Sequence, residues 1–128
     1  MGKPINILVI DDEESFTFFI KLNLQAETRH DFQVTTANGG EEGLKIAKTL
    51  RPDLILLDIM MPDMCGTEVS EKLLLDPRTK NIPIIFLTAV AQKDEVEEAA
   101  GMMGGREFIA KPAGIEELVS RIEATLNL

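Results

Sequence analysis

The sequence predicts an α/β protein built on a doubly wound parallel sheet, and three observations support this prediction. Short apolar runs of β-type composition alternate with segments whose apolar residues recur at helical spacing, and this alternation occurs five times along the 128 residues. Glycine and proline mark the breaks, for example at Arg51-Pro52 and Gly104-Gly105. The runs at 5–10, 53–57 and 82–87 are the most uniformly apolar, as expected for central strands that helices cover on both faces.

The five predicted units follow one another without a linker or a low-complexity tract, so we expect one domain over residues 1–128. The strands are predicted at 5–10, 32–37, 53–57, 82–87 and 107–110, and the helices at 15–28, 41–50, 67–75, 93–101 and 115–126. Because the second and fifth strands look like sheet edges, the predicted strand order is 2-1-3-4-5. The Rossmann order would require a glycine fingerprint after the first strand, where acids stand instead.

Composition limits the partners and the compartment. The net charge is −9, from 22 acidic and 13 basic residues, so we expect no direct binding to nucleic acid or to an anionic membrane. The single cysteine, Cys65, allows no internal disulfide. No apolar run approaches the roughly 18 residues of a membrane span, and no signal-peptide pattern is present. We therefore predict a cytoplasmic protein.

Polar side chains stand at the carboxyl ends of four predicted strands. They are Asp11 and Asp12 after the first, Asp58 after the third, Thr88 after the fourth and Lys111 after the fifth. In a doubly wound sheet these ends share one edge, and ligands bind there, where the winding reverses between the first and third strands. Three carboxylates, a hydroxyl and an ammonium are therefore predicted to line one crevice.

The chemistry of such a crevice points to phosphoryl transfer. Three neighbouring carboxylates repel one another unless a cation joins them, and oxygen ligands with room for water suit Mg²⁺. With the metal and Lys111 offsetting the charge, a phosphoryl group could approach Asp58, whose ionised carboxylate would act as the nucleophile and form an acyl phosphate. Thr88 and backbone N–H groups after Asp58 could hold the phosphoryl oxygens. Positioning and charge neutralisation would then supply most of the catalysis.

Taken together and in order, these residues resemble the response-regulator receiver domains of bacterial two-component systems, over essentially the whole chain. The motifs that carry the resemblance are Asp11-Asp12, Asp58 with Met61-Pro62 and Gly66, Thr88-Ala89, and the run from Phe108 to Pro112. The resemblance implies a flavodoxin-like (βα)5 fold, as in single-domain chemotaxis regulators. It also implies that Asp58 accepts a phosphoryl group from the phosphohistidine of a histidine kinase or histidine phosphotransfer protein.

The resemblance further implies a role for each site residue. The carboxylates of Asp12 and Asp58 and the backbone carbonyl of Met60 would bind Mg²⁺ directly. Asp11 would act mainly through water. Thr88 and Phe108 would form a switch pair, in which Thr88 moves toward the phosphoryl group as Phe108 turns inward. The surface of the fourth helix, fifth strand and fifth helix would then change for a downstream effector or output domain.

Two hypotheses concern the lifetime and the source of the phosphoryl group. Met60 and Val90 lie two positions beyond Asp58 and Thr88, where this family lines the path of hydrolytic water, so slow autodephosphorylation is expected. On the first helix, the inner face is assigned to Phe16, Phe19, Ile20 and Leu24, which leaves Phe18 and Leu22 outside. That exposed pair is either a scatter of surface apolar residues or a docking patch for the helical bundle of a kinase or phosphotransfer protein.

Rival interpretations stay open. A phosphohydrolase of the haloacid-dehalogenase type also uses Asp, Thr or Ser, Lys and Mg²⁺, but it needs a second Asp where Met60 stands. A receiver-like interaction module that never takes phosphate is another alternative. We expect a signalling phosphoacceptor rather than an enzyme, either standing alone or excised from a longer protein. The single histidine, His30, is expected to have a surface or capping role rather than a phosphorelay role.

Overall fold

The structure is a computed structural model, and it describes residues 3–88, 108–110 and 114–128, without the side chains of Thr88 and Ala110. The predicted fourth helix at 93–101 lies outside the described residues, as do Ala89, Val90, Lys111 and Pro112.

The described residues form five strands and four helices in alternating order. The strands are β1 (Ile5–Ile10), β2 (Phe32–Ala37), β3 (Leu54–Asp58), β4 (Ile84–Thr88) and β5 (Phe108–Ala110). The helices are α1 (Glu14–Gln25), α2 (Gly40–Leu50), α3 (Gly66–Leu75) and α4 (Ile115–Leu126), the last being the helix predicted at 115–126. None of the helices in the described residues has the length and apolar content needed to cross a bilayer.

The five strands pair in parallel in the order β2-β1-β3-β4-β5, which confirms the predicted doubly wound sheet. The register aligns the carboxyl ends of the central strands. Ile10 lies opposite Leu57, and Asp58 lies opposite Leu87. Asp11, which follows Ile10, therefore leaves the sheet at the level of Asp58.

Two apolar layers cover the sheet, one on each face. Alternate residues of β1 divide between them: Ile7 and Val9 pack on the face of α1 and α4, whereas Leu8 and Ile10 pack on the face of α2 and α3. All five residues of β3 are buried, as the prediction of a central strand requires. Gly43 of α2 packs closely on β1, because a Cβ there would lie 2.5 Å from the Ile10 side chain.

Two element boundaries differ from prediction by two residues or more, each for a local reason, and the others in the described residues agree to within one residue. Helix α1 ends at Gln25 rather than near residue 28, and the carboxylate of Glu27 instead accepts hydrogen bonds from the backbone and side chain of Arg29. Strand β4 begins at Ile84 rather than at residue 82, because Pro83 has no N–H to donate to the sheet.

The buried stripe of α1 also differs from the predicted one. Thr17, Ile20 and Leu24 are buried, and Phe16 packs partly against the same core layer. Phe19 is 44% exposed, so its assignment to the inner face is wrong. Thr17 can occupy the inner face because its hydroxyl donates a hydrogen bond of 3.0 Å to the Glu14 carbonyl, which satisfies the polar group within the helix.

Candidate functional site

Three carboxylates meet at the carboxyl edge of the sheet. Asp11, Asp12 and Asp58 each place a carboxylate oxygen so that the three oxygens lie within 4.8 Å of one another. Asp11 and Asp58 are buried, with 0% and 4% exposure, whereas Asp12 is not. The predicted convergence of these three residues is therefore confirmed.

The chain after β1 holds Asp11 in place through its own backbone and side chain. Its backbone N–H donates to the Ala37 carbonyl at 3.0 Å, which continues the pairing with β2. Its Oδ1 accepts a hydrogen bond of 2.9 Å from the N–H of Glu13, an arrangement in which the short Asp side chain mimics a backbone turn. The turn directs the chain into α1 and keeps the Asp11 carboxylate beside the sheet.

Asp58 is fixed by the strand and by the loop that follows it. It is the last residue of β3, and the next backbone N–H, from Ile59, still donates to the Leu87 carbonyl at 3.1 Å. The loop then returns, and the Gly66 N–H donates to the Ile59 carbonyl at 2.7 Å. A Cβ on Gly66 would lie 2.2 Å from the Asp58 carbonyl oxygen, so this return requires glycine.

A fourth acid, Asp63, holds the same loop from its other side, and sequence reasoning missed it. Its Oδ1 accepts a hydrogen bond from the Gly40 N–H at 3.2 Å, and its Oδ2 accepts one from the Glu41 N–H at 3.1 Å. Hydrogen bonds from these two N–H groups lower the pKa of Asp63 below its usual value. The sequence offered one signal for this contact, a helix start at Gly39-Gly40 with no capping side chain of its own. The cap is supplied by Asp63, 23 residues away from Gly40.

The donor set of the crevice fits a small divalent cation. Carboxylate oxygens are hard ligands, and three within 4.8 Å can share one ion. Because Asp12 is not buried, the group is open on one side, where water could complete an octahedral shell. The fourth predicted ligand, the Met60 carbonyl, belongs to the loop between Ile59 and Gly66, and the Met60 side chain is 72% exposed.

The structure describes the remaining predicted site residues in part. Thr88 ends β4 opposite Ala110, at the edge where Asp58 lies, but its side chain and all of Lys111 lie outside the described part of the chain. Phe108 in β5 lies opposite Phe86 and packs partly against the core layer of α2 and α3.

Two outlying predictions can also be placed. Phe18 and Leu22 are 66% and 58% exposed, as expected, and the exposed Phe19 lies between them in sequence. His30 lies far from the acids: its Nε2 is 2.7 Å from a carboxylate oxygen of Glu123 in α4, and its ring lies 5.3 Å from that of Phe32. His30 thus has one partner in α4 and one in β2, and the lack of a phosphorelay role stays a prediction.

Comparison with known proteins agrees with this architecture. The model of the response regulator receiver domain family matches residues 7–123. Among curated proteins, the alkaline phosphatase synthesis transcriptional regulatory protein PhoP of Bacillus subtilis is 39% identical over 122 residues, which is 94% of this chain and 48% of that protein. Transcriptional regulatory protein AfsQ1 of Streptomyces coelicolor is 37% identical over 123 residues, 95% of this chain and 51% of that protein. The chain thus spans about half the length of these relatives.

Solved structures show the same fold. The chemotaxis response regulator CheY4 of Vibrio cholerae superimposes with a TM-score of 0.83 at 27% identity, covering 97% of this chain and 100% of that one. The N-terminal domain of a response regulator receiver protein from Methanoculleus marisnigri gives a TM-score of 0.70 at 35% identity, with 96% and 97% covered. Since the family match runs from β1 into α4 and includes all three acids of the crevice, the chain belongs to the response regulator receiver domain family.

Proposed function

We propose that the chain accepts a phosphoryl group from a phosphohistidine onto Asp58, with Mg²⁺ bound in the acidic crevice, and passes the signal to a partner through the surface around β5. The observation that carries the proposal is the meeting of the Asp11, Asp12 and Asp58 carboxylates within 4.8 Å at the carboxyl edge of the sheet. Because like charges repel, three carboxylates this close to one another favour the binding of a cation.

In the proposed reaction, one bond to phosphorus replaces another. A carboxylate oxygen of Asp58 forms the new P–O bond as the P–N bond of the phosphohistidine breaks, and the bonding pair stays on the imidazole nitrogen. Bound Mg²⁺ would offset the negative charge that the acids and the phosphoryl oxygens bring together. Asp12, Asp58 and the Met60 carbonyl would hold the ion directly, and Asp11 would hold it mainly through water.

The protein's own groups would orient the reactants. Asp58 needs no general base, since an aspartate that is ionised can attack directly. The Ile59 and Gly66 hydrogen bonds fix the backbone on the carboxyl side of Asp58, so its carboxylate would be presented with little freedom. Thr88, at the end of β4, and Lys111 are proposed to contact the phosphoryl oxygens.

Intact-mass measurement after treatment with a small phosphodonor tests the proposal. Wild-type protein should gain about 80 Da, one phosphoryl group, with Mg²⁺ and not with a chelator. Asp58→Asn should show no gain under either condition. Asp53→Asn is the matched control at the opposite end of β3, and it should gain the same mass as wild type.

The outcomes also separate the rival functions. A wild-type protein that stays unmodified with Mg²⁺ would contradict the proposal and favour an interaction module that never takes phosphate. Release of many equivalents of inorganic phosphate from a phosphate ester would favour an aspartyl-nucleophile phosphohydrolase. Met60 argues against the hydrolase, because it occupies the position of that family's second catalytic Asp.

The exposed apolar surface of α1 supports a docking role. Phe18, Phe19 and Leu22 are 66%, 44% and 58% exposed, and they form one patch because residues three and four apart are neighbours on a helix. A helical bundle that carries a phosphohistidine could cover such a patch. We propose it as the docking surface for a histidine kinase or phosphotransfer protein.

Docking can be separated from chemistry by changing the donor. Phe18→Ala and Leu22→Ala should slow phosphorylation by a phosphorylated histidine phosphotransfer protein, and they should leave labelling by a small phosphodonor unchanged. Leu75→Ala is the control, since Leu75 is 84% exposed on α3. Equal slowing with both donors would contradict docking.

The lifetime of the phosphorylated form depends on access of water in this proposal. Met60 stays a predicted barrier to hydrolytic water, together with Val90. The decay of phosphorylated protein in Mg²⁺ should be faster in a Met60→Asn, Val90→Glu variant than in wild type. An unchanged or slower decay would contradict the prediction.

The output is proposed to leave through β5 and the elements beside it. Phe108 is partly buried, and its carbonyl accepts a hydrogen bond of 3.4 Å from the Arg121 side chain of α4, which links the proposed switch residue to the last helix. The receiver surface would act on a downstream protein effector or on an output domain of the same chain.

A further inference from the structure

The loop that follows Asp58 is held at both ends by backbone hydrogen bonds. Ile59 donates to the Leu87 carbonyl at 3.1 Å, and Gly66 donates to the Ile59 carbonyl at 2.7 Å. Between these points lie the Met60 carbonyl and the Asp63 side chain. The middle of the loop therefore depends on contacts that its side chains make.

Asp63 supplies such a contact, and it reaches a separate element. Both of its carboxylate oxygens accept backbone N–H groups, from Gly40 at 3.2 Å and from Glu41 at 3.1 Å, at the first turn of α2. The N-cap of that helix is Gly39, which has no side chain to satisfy these donors. Two hydrogen bonds and the positive end of the helix thus hold one ionised carboxylate.

The fit around this contact is tight. A Cβ built on Gly39 would lie 3.0 Å from each carboxylate oxygen of Asp63, although the backbone there is extended and open to any residue. A Cβ on Gly40 would lie 2.9 Å from the Cβ of Met64, the residue after Asp63. The loop and the start of α2 are therefore packed together, and movement of one requires movement of the other.

We propose that Asp63 is a positioning residue that fixes the loop carrying Met60 and thereby sets the Mg²⁺ affinity of the acidic crevice. The inference rests on the proposed function in one respect, the use of the Met60 carbonyl as a metal ligand. Asp63 lies only three residues after Met60, so its two hydrogen bonds restrict where that carbonyl can point. A residue that orients a metal ligand changes affinity without touching the metal.

Calorimetric titration of the unphosphorylated protein with Mg²⁺ tests the inference. Asp63→Ala should bind Mg²⁺ about tenfold more weakly than wild type, as is typical when a group that orients a ligand is removed. Asp63→Asn keeps one acceptor oxygen, so its affinity for Mg²⁺ should lie between those of wild type and Asp63→Ala. Asp53→Ala is the matched control, because Asp53 also accepts a backbone N–H from another element, that of Asn6 at 2.8 Å, at the far end of β3.

A second measurement reports on the loop itself. The backbone amide of Met61, which follows the Met60 carbonyl, should shift in the NMR spectrum when Mg²⁺ is added to wild type or to Asp53→Ala. The shift should be smaller in Asp63→Ala at the same fraction of bound metal. If the alanine variant does not fold, the chemical-shift change of Met61 can be measured in Asp63→Asn instead.

Two outcomes would contradict the inference, and they can be distinguished from each other. If Asp63→Ala loses stability as Asp53→Ala does but binds Mg²⁺ as tightly as wild type, Asp63 only caps α2 and the inference is wrong. If wild-type protein binds no Mg²⁺ at all, both the inference and the metal step of the proposed function are contradicted.

Discussion

The two edges of the sheet differ in how close their acidic side chains lie to one another. At the amino edge, each of three carboxylates lies beside a hydrogen-bonding partner. Asp53 accepts a hydrogen bond from the Asn6 N–H at 2.8 Å, Asp76 accepts one from the Arg78 side chain at 2.9 Å, and Glu123 of α4 lies 2.7 Å from His30. At the carboxyl edge, three carboxylates approach one another within 4.8 Å.

This difference between the edges separates acids that stabilise the fold from acids that are proposed to bind a ligand. A carboxylate beside a donor stabilises the folded state, or at least does not oppose it. Carboxylates this close to one another repel even when they also accept hydrogen bonds, and a bound cation would offset that repulsion. We therefore propose that the ligand binds at the carboxyl edge.

The largest expected effect comes from Gly66, which shapes the carboxyl edge. Gly66→Ala would place a Cβ 2.2 Å from the Asp58 carbonyl oxygen and 2.8 Å from the Ile59 Cα, so backbone must move. We expect a loss of about 3 kcal/mol in the free energy of unfolding, measured by urea denaturation, together with slower phosphorylation of Asp58.

Gly114→Ala is the matched control for this change. A Cβ at Gly114 would meet no atom within 4 Å among the described residues, so the loss should stay below about 1 kcal/mol. Equal losses at the two glycines would show that the tight return of the loop is not what Gly66 provides.

A smaller effect is expected at the amino edge. The His30 and Glu123 side chains are 19% and 29% exposed, so a double-mutant cycle with His30→Ala and Glu123→Ala should give a coupling of about 0.5–1 kcal/mol. Mg²⁺-dependent phosphorylation should be the same in all four proteins. A variant that folds but loses phosphorylation would break the proposed division between the edges.

The smallest effect concerns pH. Hydrogen bonds from Glu41 and Gly40 lower the pKa of Asp63 from its usual 3.8. The unfolded chain therefore takes up this proton at a higher pH than the folded chain, and the stabilisation by Asp63 is present above about pH 4 and lost as pH falls through the folded pKa. The difference in unfolding free energy between wild type and Asp63→Asn should be constant from pH 7 to about 5 and shrink below that. A difference that grows on acidification would contradict this.

Much of the fold and the acidic crevice could be predicted from the sequence, for physical reasons. Leu54 to Leu57 form a continuous apolar run, which suits a strand buried on both faces. Asp11, Asp12 and Asp58 stand at or just after the ends of such strands, and a parallel sheet brings the ends of its strands to one edge.

The features that prediction missed depend on hydrogen bonds made by individual side chains. Periodicity assigned Phe19 to the core of α1, but Thr17 takes an inner position because its hydroxyl is satisfied within the helix. Asp63 was not predicted as a site residue, because the N–H groups that it binds, those of Gly40 and Glu41, belong to a separate element. The periodicity of apolar residues does not report either hydrogen bond.

Urea unfolding of Asp12→Asn, with and without Mg²⁺, tests most directly whether the acids of the carboxyl edge are held for a cation. With a chelator present, Asp12→Asn should be more stable than wild type by about 1 kcal/mol, because one of three neighbouring like charges is gone. Saturating Mg²⁺ should stabilise wild type and have much less effect on the variant. Asp53→Asn, at the amino edge, should be less stable than wild type, and Mg²⁺ should stabilise it by as much as it stabilises wild type. If Asp12→Asn is instead destabilised in chelator and keeps the full gain in stability from Mg²⁺, the acids of the carboxyl edge are not held for a cation.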